Sequence, residues 1–226
     1  YEISVRDWSS DVCSSDLGYS MVQGVLLMRQ LSAQLRGKQV VWFVCVENDL
    51  YDNVMPNKPN FYRTPFVRRV NGDEKWEIVG HHVSPSRWQY SNDGRPYYPM
   101  LAKLCTPCPL SRRVYAACKH LIEEARDICA QAGAELVVVT IPNKNQLSPE
   151  GLEFLLSHNV DRANFDADYP DHRISEMCRT FGVRFVAAKQ YLHAEDYKEH
   201  DTHWNAQGHR QMAALLRDAF VKRQAQ

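Results

Sequence analysis

QVVWFVCVENDLYDN, residues 39–53, is the stretch on which the fold turns. Its first eight residues, 39–46, form an almost unbroken apolar run of β-branched and aromatic side chains. Such a run suits a strand covered on both faces, because a half-exposed strand would alternate apolar with polar. The polar turn Glu47-Asn48-Asp49 follows without a break. Working outward, ELVVVTI at 135–141 repeats the pattern and is stopped by Pro142, and Val183 to Ala187 gives a third short run. Helical patterns lie between and around these strands. Residues 20–36 place Val25, Met28, Leu31 and Leu35 at helical spacing, with Gly37 closing the run. Ser111 is read as the cap of a helix to about Gln131, with Val114, Ala117, Leu121, Ala125 and Ile128 on one face. A shorter helix is expected over Asp171–Thr180. A last one follows Asn205, a good N-cap residue, and carries Met212, Leu215, Leu216, Ala219 and Phe220 as its stripe. Strands alternating with helices imply right-handed crossovers and a parallel sheet covered on both sides, a three-layer α/β/α sandwich. Ligands of such sheets bind beyond the carboxyl ends of the strands. Function is therefore expected in the loops at 47–53, at 142–146 and just before the last helix.

The chain has 226 residues, enough for one domain with a sizeable core. Lys plus Arg and Asp plus Glu both number 27, so the net charge is zero and no basic surface for nucleic acid is indicated. No apolar run approaches the roughly 20 residues that span a bilayer, and no signal-peptide pattern is visible. Neither compartment nor oligomeric state reads out. The seven cysteines are odd in number and scattered, which does not describe a disulfide framework. Cys105-x-x-Cys108 with His120 lacks the second pair of ligands a zinc site needs, so these are read as thiols. Residues 66–79 read as a hairpin around Asn71-Gly72, and 80–110, rich in Pro, Ser, Asn and Tyr, as an irregular excursion. His81-His82, Trp88 and Tyr97-Tyr98 lie in this excursion, where the aromatics either line a substrate groove or pack back on the sheet.

Two clusters carry chemistry. His200-Asp201-Thr202-His203-Trp204-Asn205-Ala206-Gln207-Gly208-His209 stands directly before the last helix. An imidazole acting as general base needs its second nitrogen held by an acceptor, best a carboxylate, and Asp201 with His203 can supply that pair. Spacing alone leaves a polar surface loop open, and also a metal site built from His200, His203 and His209 with Asp201. The second cluster is Glu47 to Asn53, where the Asn48 amide can donate to a developing oxyanion or belong to an ordinary polar turn.

Taken in order, GYSMVQGVLLMRQL (18–31), VVWFVCVENDLYDN (40–53) and DTHWNAQGH (201–209) resemble the later blocks of the SGNH, or GDSL-type, hydrolases. The resemblance implies a flavodoxin-like sandwich and an ester hydrolase or O-acyltransferase with a Ser-His-Asp mechanism. It makes Gly18 the block-two glycine and Asn48 the block-three asparagine of the oxyanion hole, His203 the base and Asp201 its orienting partner. The D-x-H spacing, where many members have D-x-x-H, resembles the alginate O-acetyltransferase-like subgroup. No metal or organic cofactor is implied, and the substrate is expected to be a small-molecule, carbohydrate or lipid acyl ester. A non-catalytic carbohydrate- or lipid-binding relative and a metal-dependent hydrolase are the alternatives. The family's first block, G-D-S, has no counterpart here. Gly18-Tyr19-Ser20 imitates it, but residues 6–17 before it are polar and aperiodic where a buried strand is required, and Ser20 reads better in the first turn of a helix. Residues 1–17, YEISVRDWSSDVCSSDL, resemble a translated sequencing adapter rather than a folding segment. The genuine domain is thus expected over 18–226, with the hairpin and loop excursion at about 47–110. On this reading it lacks its first strand or two, together with the segment carrying the nucleophile.

Overall fold

A computed structural model of the chain describes residues 20–55, 65–70, 75–80, 97–158 and 160–221. The apolar runs become three strands, β1 (Gln39–Cys45), β4 (Glu135–Ile141) and β5 (Arg184–Ala187), joined in one parallel sheet of order β1-β4-β5. β1 and β4 pair over their whole length, from Gln39 beside Glu135 to Cys45 beside Ile141. The hairpin forms as a separate antiparallel pair, β2 (Phe66–Arg69) with β3 (Trp76–Val79); its Asn71-Gly72 turn lies outside the described residues.

Alternation along the strands divides the core into two layers, because successive side chains of a strand point to opposite faces. Trp42 and Val44 of β1 with Leu136 and Val138 of β4 pack under α1 (Met21–Gln30), α4 (Pro109–Ala132) and α6 (Tyr169–Thr180). Val137 and Val139, with Val41, Phe43 and Val186 beside them, face α7 (Ala206–Val221) and the segment leading into it, through Met212, Leu215, Leu192 and Tyr197. This is the α/β/α sandwich expected. The face of α4 reads as written in the sequence: Val114, Ala117, Leu121 and Ala125 are fully buried. Truncating such a residue, Leu121→Ala for instance, typically costs about 2–5 kcal/mol.

Four details differ from the sequence reading. The first helix stops at Gln30, and residues 32–34 make a separate 3-10 turn before Gly37, whose φ of 66° closes the approach to β1. The N-cap of α4 is Cys108, not Ser111: its Sγ accepts from the Ser111 N–H, while the Ser111 hydroxyl accepts from the Cys108 N–H. Pro109 stands at the first helical position, where its missing N–H costs nothing. The supposedly irregular 80–110 contains α3 (Tyr97–Leu104), whose Leu101 and Leu104 are fully buried. A further helix, α5 (Pro149–Leu156), is capped by Ser148, whose hydroxyl accepts from the Gly151 N–H. The short α2 (Asp49–Asp52) begins directly after Asn48. Among the described residues no helix is long and apolar enough to cross a membrane.

Candidate functional site

The segment entering α7 is a small closed loop. Tyr197 and Trp204 face each other in an antiparallel bridge, Lys198 N–H donates to His203 O at 2.9 Å, and Asp201 N–H donates to Lys198 O. Asn205 anchors its base as the sequence suggests: its side-chain oxygen accepts from the N–H groups of Gln207 (2.8 Å) and Gly208 (3.1 Å) at the start of α7. Its amide nitrogen donates to Glu195 O and Tyr197 O. The Tyr197 hydroxyl, buried, donates to Pro142 O at 2.6 Å and ties the loop to the end of β4. Trp204 packs against the core beneath the loop, and its indole also bonds to Tyr197.

On this loop His203 and Asp201 meet. His203 Nδ1 lies 2.6 Å from Asp201 Oδ1, and the His203 N–H also donates to that oxygen at 3.3 Å. Burial works to raise the Asp201 pKa, but the bonds from the His203 ring and the backbone, with the imidazole charge, outweigh it, and the net direction is down. An ionised carboxylate on Nδ1 fixes the tautomer that presents Nε2 as the basic nitrogen.

The loop after β1 meets the loop after β4 through Glu47. Its carboxylate accepts from Asn143 Nδ2 at 2.6 Å. Burial is the largest influence on Glu47 and raises its pKa; Asn143, Thr202 and His203, in that order, pull the other way. Lys144 Nζ, on the β4 loop, donates to Lys198 O (2.9 Å) and Glu199 O (2.8 Å). The three loops singled out in the sequence therefore converge. Asn48 is next to Glu47 at the same end of the sheet. Its Nδ2 donates to Asp49 Oδ1 at 3.0 Å, and the buried Asp49 also takes the Cys45 N–H at 2.8 Å. An amide nitrogen carries two hydrogens, so this bond orients the group without exhausting it.

Other candidates separate from this cluster. Gly18 lies outside the described residues, as do 1–17, His81-His82 and Trp88. Ser20 is buried at the N-cap of α1, its backbone N–H and hydroxyl both engaged with the Gln23 side chain. His200 is exposed and lies 3.8 Å from Glu199, and His209, exposed on the first turn of α7, stacks edge-on against Trp204. Among the described residues no three His, Cys, Asp or Glu side chains converge as metal ligands. Cys105 and Cys108 are both free thiols. Tyr98 packs edge-to-face on Phe154 of α5. A cavity of about 980 Å³ lies at the opposite end of the sheet, lined by Arg29, Arg36, Gly37, Ile128 and Gly133 among others. It touches none of the residues above.

The roles of Glu47, Asn143 and Lys144 escaped the sequence reading, although all three lie in or beside the loops marked for function. Glu47 had one signal of its own: a carboxylate directly after a strand buried on both faces begins life partly desolvated. What its partner would be was not written locally, since Asn143 is distant in sequence.

A family model for an SGNH hydrolase-like domain, acetyltransferase AlgX, matches residues 106–226. That span holds α4, β4, β5, α7 and the Asp201–His203 loop, and leaves the Asn48 loop outside. No curated protein and no solved structure matches the chain.

Proposed function

Because the chain belongs to the family of SGNH hydrolase-like domains of the acetyltransferase AlgX, we propose that it performs acyl-ester hydrolysis or O-acyl transfer with His203 as general base and Asp201 as its orienting partner. The observation that carries the reading is the 2.6 Å contact between His203 Nδ1 and Asp201 Oδ1 on the loop entering α7. A serine Oγ attacks the acyl carbonyl as Nε2 of His203 takes its proton. Asp201 stabilises the imidazolium so formed. Asn48, with the backbone N–H of Gly18, bonds the oxyanion of the tetrahedral intermediate. The intermediate collapses, the leaving alkoxide receives the proton from His203, and an acyl-serine remains. Water or an acceptor hydroxyl then attacks that ester, deprotonated by the same imidazole, giving hydrolysis or transfer respectively. The serine belongs to a G-D-S block, which the sequence does not contain; Ser20, held in the cap of α1, is a poor substitute. The substrate class is an acyl ester on a small molecule, a carbohydrate or a lipid.

The test is turnover of p-nitrophenyl acetate by this chain and by the chain extended with the adjoining codons of its source DNA. In whichever form is active, His203→Ala should lower kcat by about 10⁶-fold, the order of loss when the histidine of a Ser-His-Asp triad is removed. Turnover that survives His203→Ala sinks the assignment. A first block carrying a residue other than serine would favour a binding module that keeps the fold.

A further inference from the structure

We propose that Lys144 is the positioning residue that seats the Asp201–His203 loop over the sheet, by binding two of the loop's carbonyls with one ammonium; the role rests on His203 being the base. The bonds within the loop set its shape but not its placement. Residue 198 is the hub of that shape. Its N–H donates to His203 O at 2.9 Å, its carbonyl accepts from the Asp201 N–H at 3.4 Å, and its ammonium lies 3.7 Å from Asp201 Oδ2. Both members of the dyad thus depend on Lys198. Lys144 takes hold of the same hub from outside: its Nζ donates to Lys198 O at 2.9 Å and to Glu199 O at 2.8 Å. At the loop's base the Tyr197 hydroxyl donates to Pro142 O at 2.6 Å. The turn after β4 therefore grips the loop at two neighbouring points.

An exposed lysine contact ordinarily constrains little, because a long side chain has to be held in one geometry by a weak attraction. Lys144 differs in what stands beneath it. It is partly buried, and it opens a 3-10 turn, Lys144–Gln146, in which Asn143 at the cap and Gln146 at the end are buried and bonded. Asn143 Oδ1 accepts from the Asn145 N–H at 2.8 Å, its own N–H donates to Gln146 Oε1 at 2.8 Å, and its Nδ2 donates to Glu47 at 2.6 Å. Gln146 Nε2 donates to Ala167 O at 2.8 Å. A methyl group on Gly151 would lie 2.5 Å from the Asn145 backbone, so α5 packs directly against the turn. The stem of Lys144 therefore rises from backbone that is fixed toward the β1 loop, toward residue 167 and toward α5. Hydrogen bonds with a charged donor are among the stronger ones, and two from one ammonium to successive carbonyls define direction as well as distance.

The experiment reads the loop by NMR in the 226-residue chain. It compares wild type with Lys144→Met, which keeps much of the stem and removes the donors. Two quantities are followed: amide hydrogen exchange at Lys198 and Asp201, and the ring-nitrogen shifts of neutral His203, which report the tautomer that Asp201 holds. Lys144→Met should speed exchange at both amides by about tenfold and mix the two ring tautomers, while β4 and α4 exchange as before. Exchange at Lys198 that does not move, or a His203 ring that keeps a single tautomer, overturns the role. So does acceleration spread evenly over the domain, because Lys144 would then be a general stabiliser. Neither readout involves turnover, so a chain whose chemistry bypasses His203 fails the assay above while leaving this result standing.

Discussion

The two ends of the parallel sheet are built on opposite principles. At the amino ends, each strand is entered from a glycine with positive φ: Gly37 (66°) before β1, Gly133 (68°) before β4 and Gly182 (65°) before β5. The Gly37 N–H donates to Gly133 O, so backbone pairs with backbone across this end. At the carboxyl ends the chain leaves through Glu47, Pro142-Asn143 and the segment after Ala187, and side chains cross between loops. Glycine turns solve a steric problem locally and expose nothing reactive. Crossing side chains must be desolvated and mutually satisfied, which only a tertiary structure can arrange. The end that is cheaper to fold is the end away from the candidate site.

The sharpest way to break this comparison is at Asp201. Asp201→Asn preserves the shape of the side chain but offers His203 Nδ1 a neutral group that can hold the wrong tautomer. Activity should fall by about 10⁴-fold, while the thermal midpoint changes little, because a surface carboxylate contributes modestly to stability. Comparable losses of activity and of thermal midpoint would mean that the loop is structural.

One substitution made at each end gives the next largest contrast. A methyl at Gly208, in the first turn of α7, would lie 2.4 Å from Asp196 O and 3.0 Å from Trp204 Cβ. Backbone must shift, at a cost of about 1–3 kcal/mol typical of overpacking, and the shift falls on the loop holding His203. Gly133→Ala meets nothing within 4 Å, so its cost is the left-handed conformation alone, about 1–2 kcal/mol. Both variants should melt earlier in a thermal scan. Only Gly208→Ala should lose turnover. A Gly133→Ala variant equally impaired in turnover would show the two ends to be coupled.

The same division decides what the sequence could show. The strands, the α4 face and the α7 stripe rest on periodicity within a window, and the strands, the α4 face and Met212, Leu215 and Leu216 of the stripe stand where the residues place them; the Phe220 side chain lies outside the described residues. Gly37 reads as the glycine that ends the first helix, but that helix stops at Gln30 with Leu31 as its C-cap, and a short 3-10 turn intervenes. Cys108 was missed as a cap because a thiol is an unusual acceptor at that position. α3 was hidden by a stretch rich in Pro and Tyr whose helicity comes from burying Leu101 and Leu104 in the core. At the other end, the pairing of Asp201 with His203 could be anticipated, since both lie on one short loop. The link from Glu47 to Asn143 could not, because it joins residues 96 apart along the chain.

The smallest expected effect is the most specific to the carboxyl end. Burial raises the Glu47 pKa above its ordinary 4.5, against the pull of its hydrogen bonds and of His203. The folded state therefore holds this proton more tightly than the unfolded chain does. The stability this contributes is fully present below about pH 4.5, and it is lost as pH rises through the raised folded value. Asp201 runs the other way: its depressed pKa stabilises the fold above its ordinary 3.8, and that contribution is lost as pH falls. Comparing wild type with Glu47→Gln isolates the first contribution, since Asp201 is present in both. Urea unfolding at pH 4 and at pH 7.5 should show the Gln variant gaining on wild type as pH rises. A difference that stays constant between the two conditions would mean that Glu47 is ionised at no cost to the fold. Removing a carboxylate that burial disfavours in the folded state should thus strengthen the domain at neutral pH.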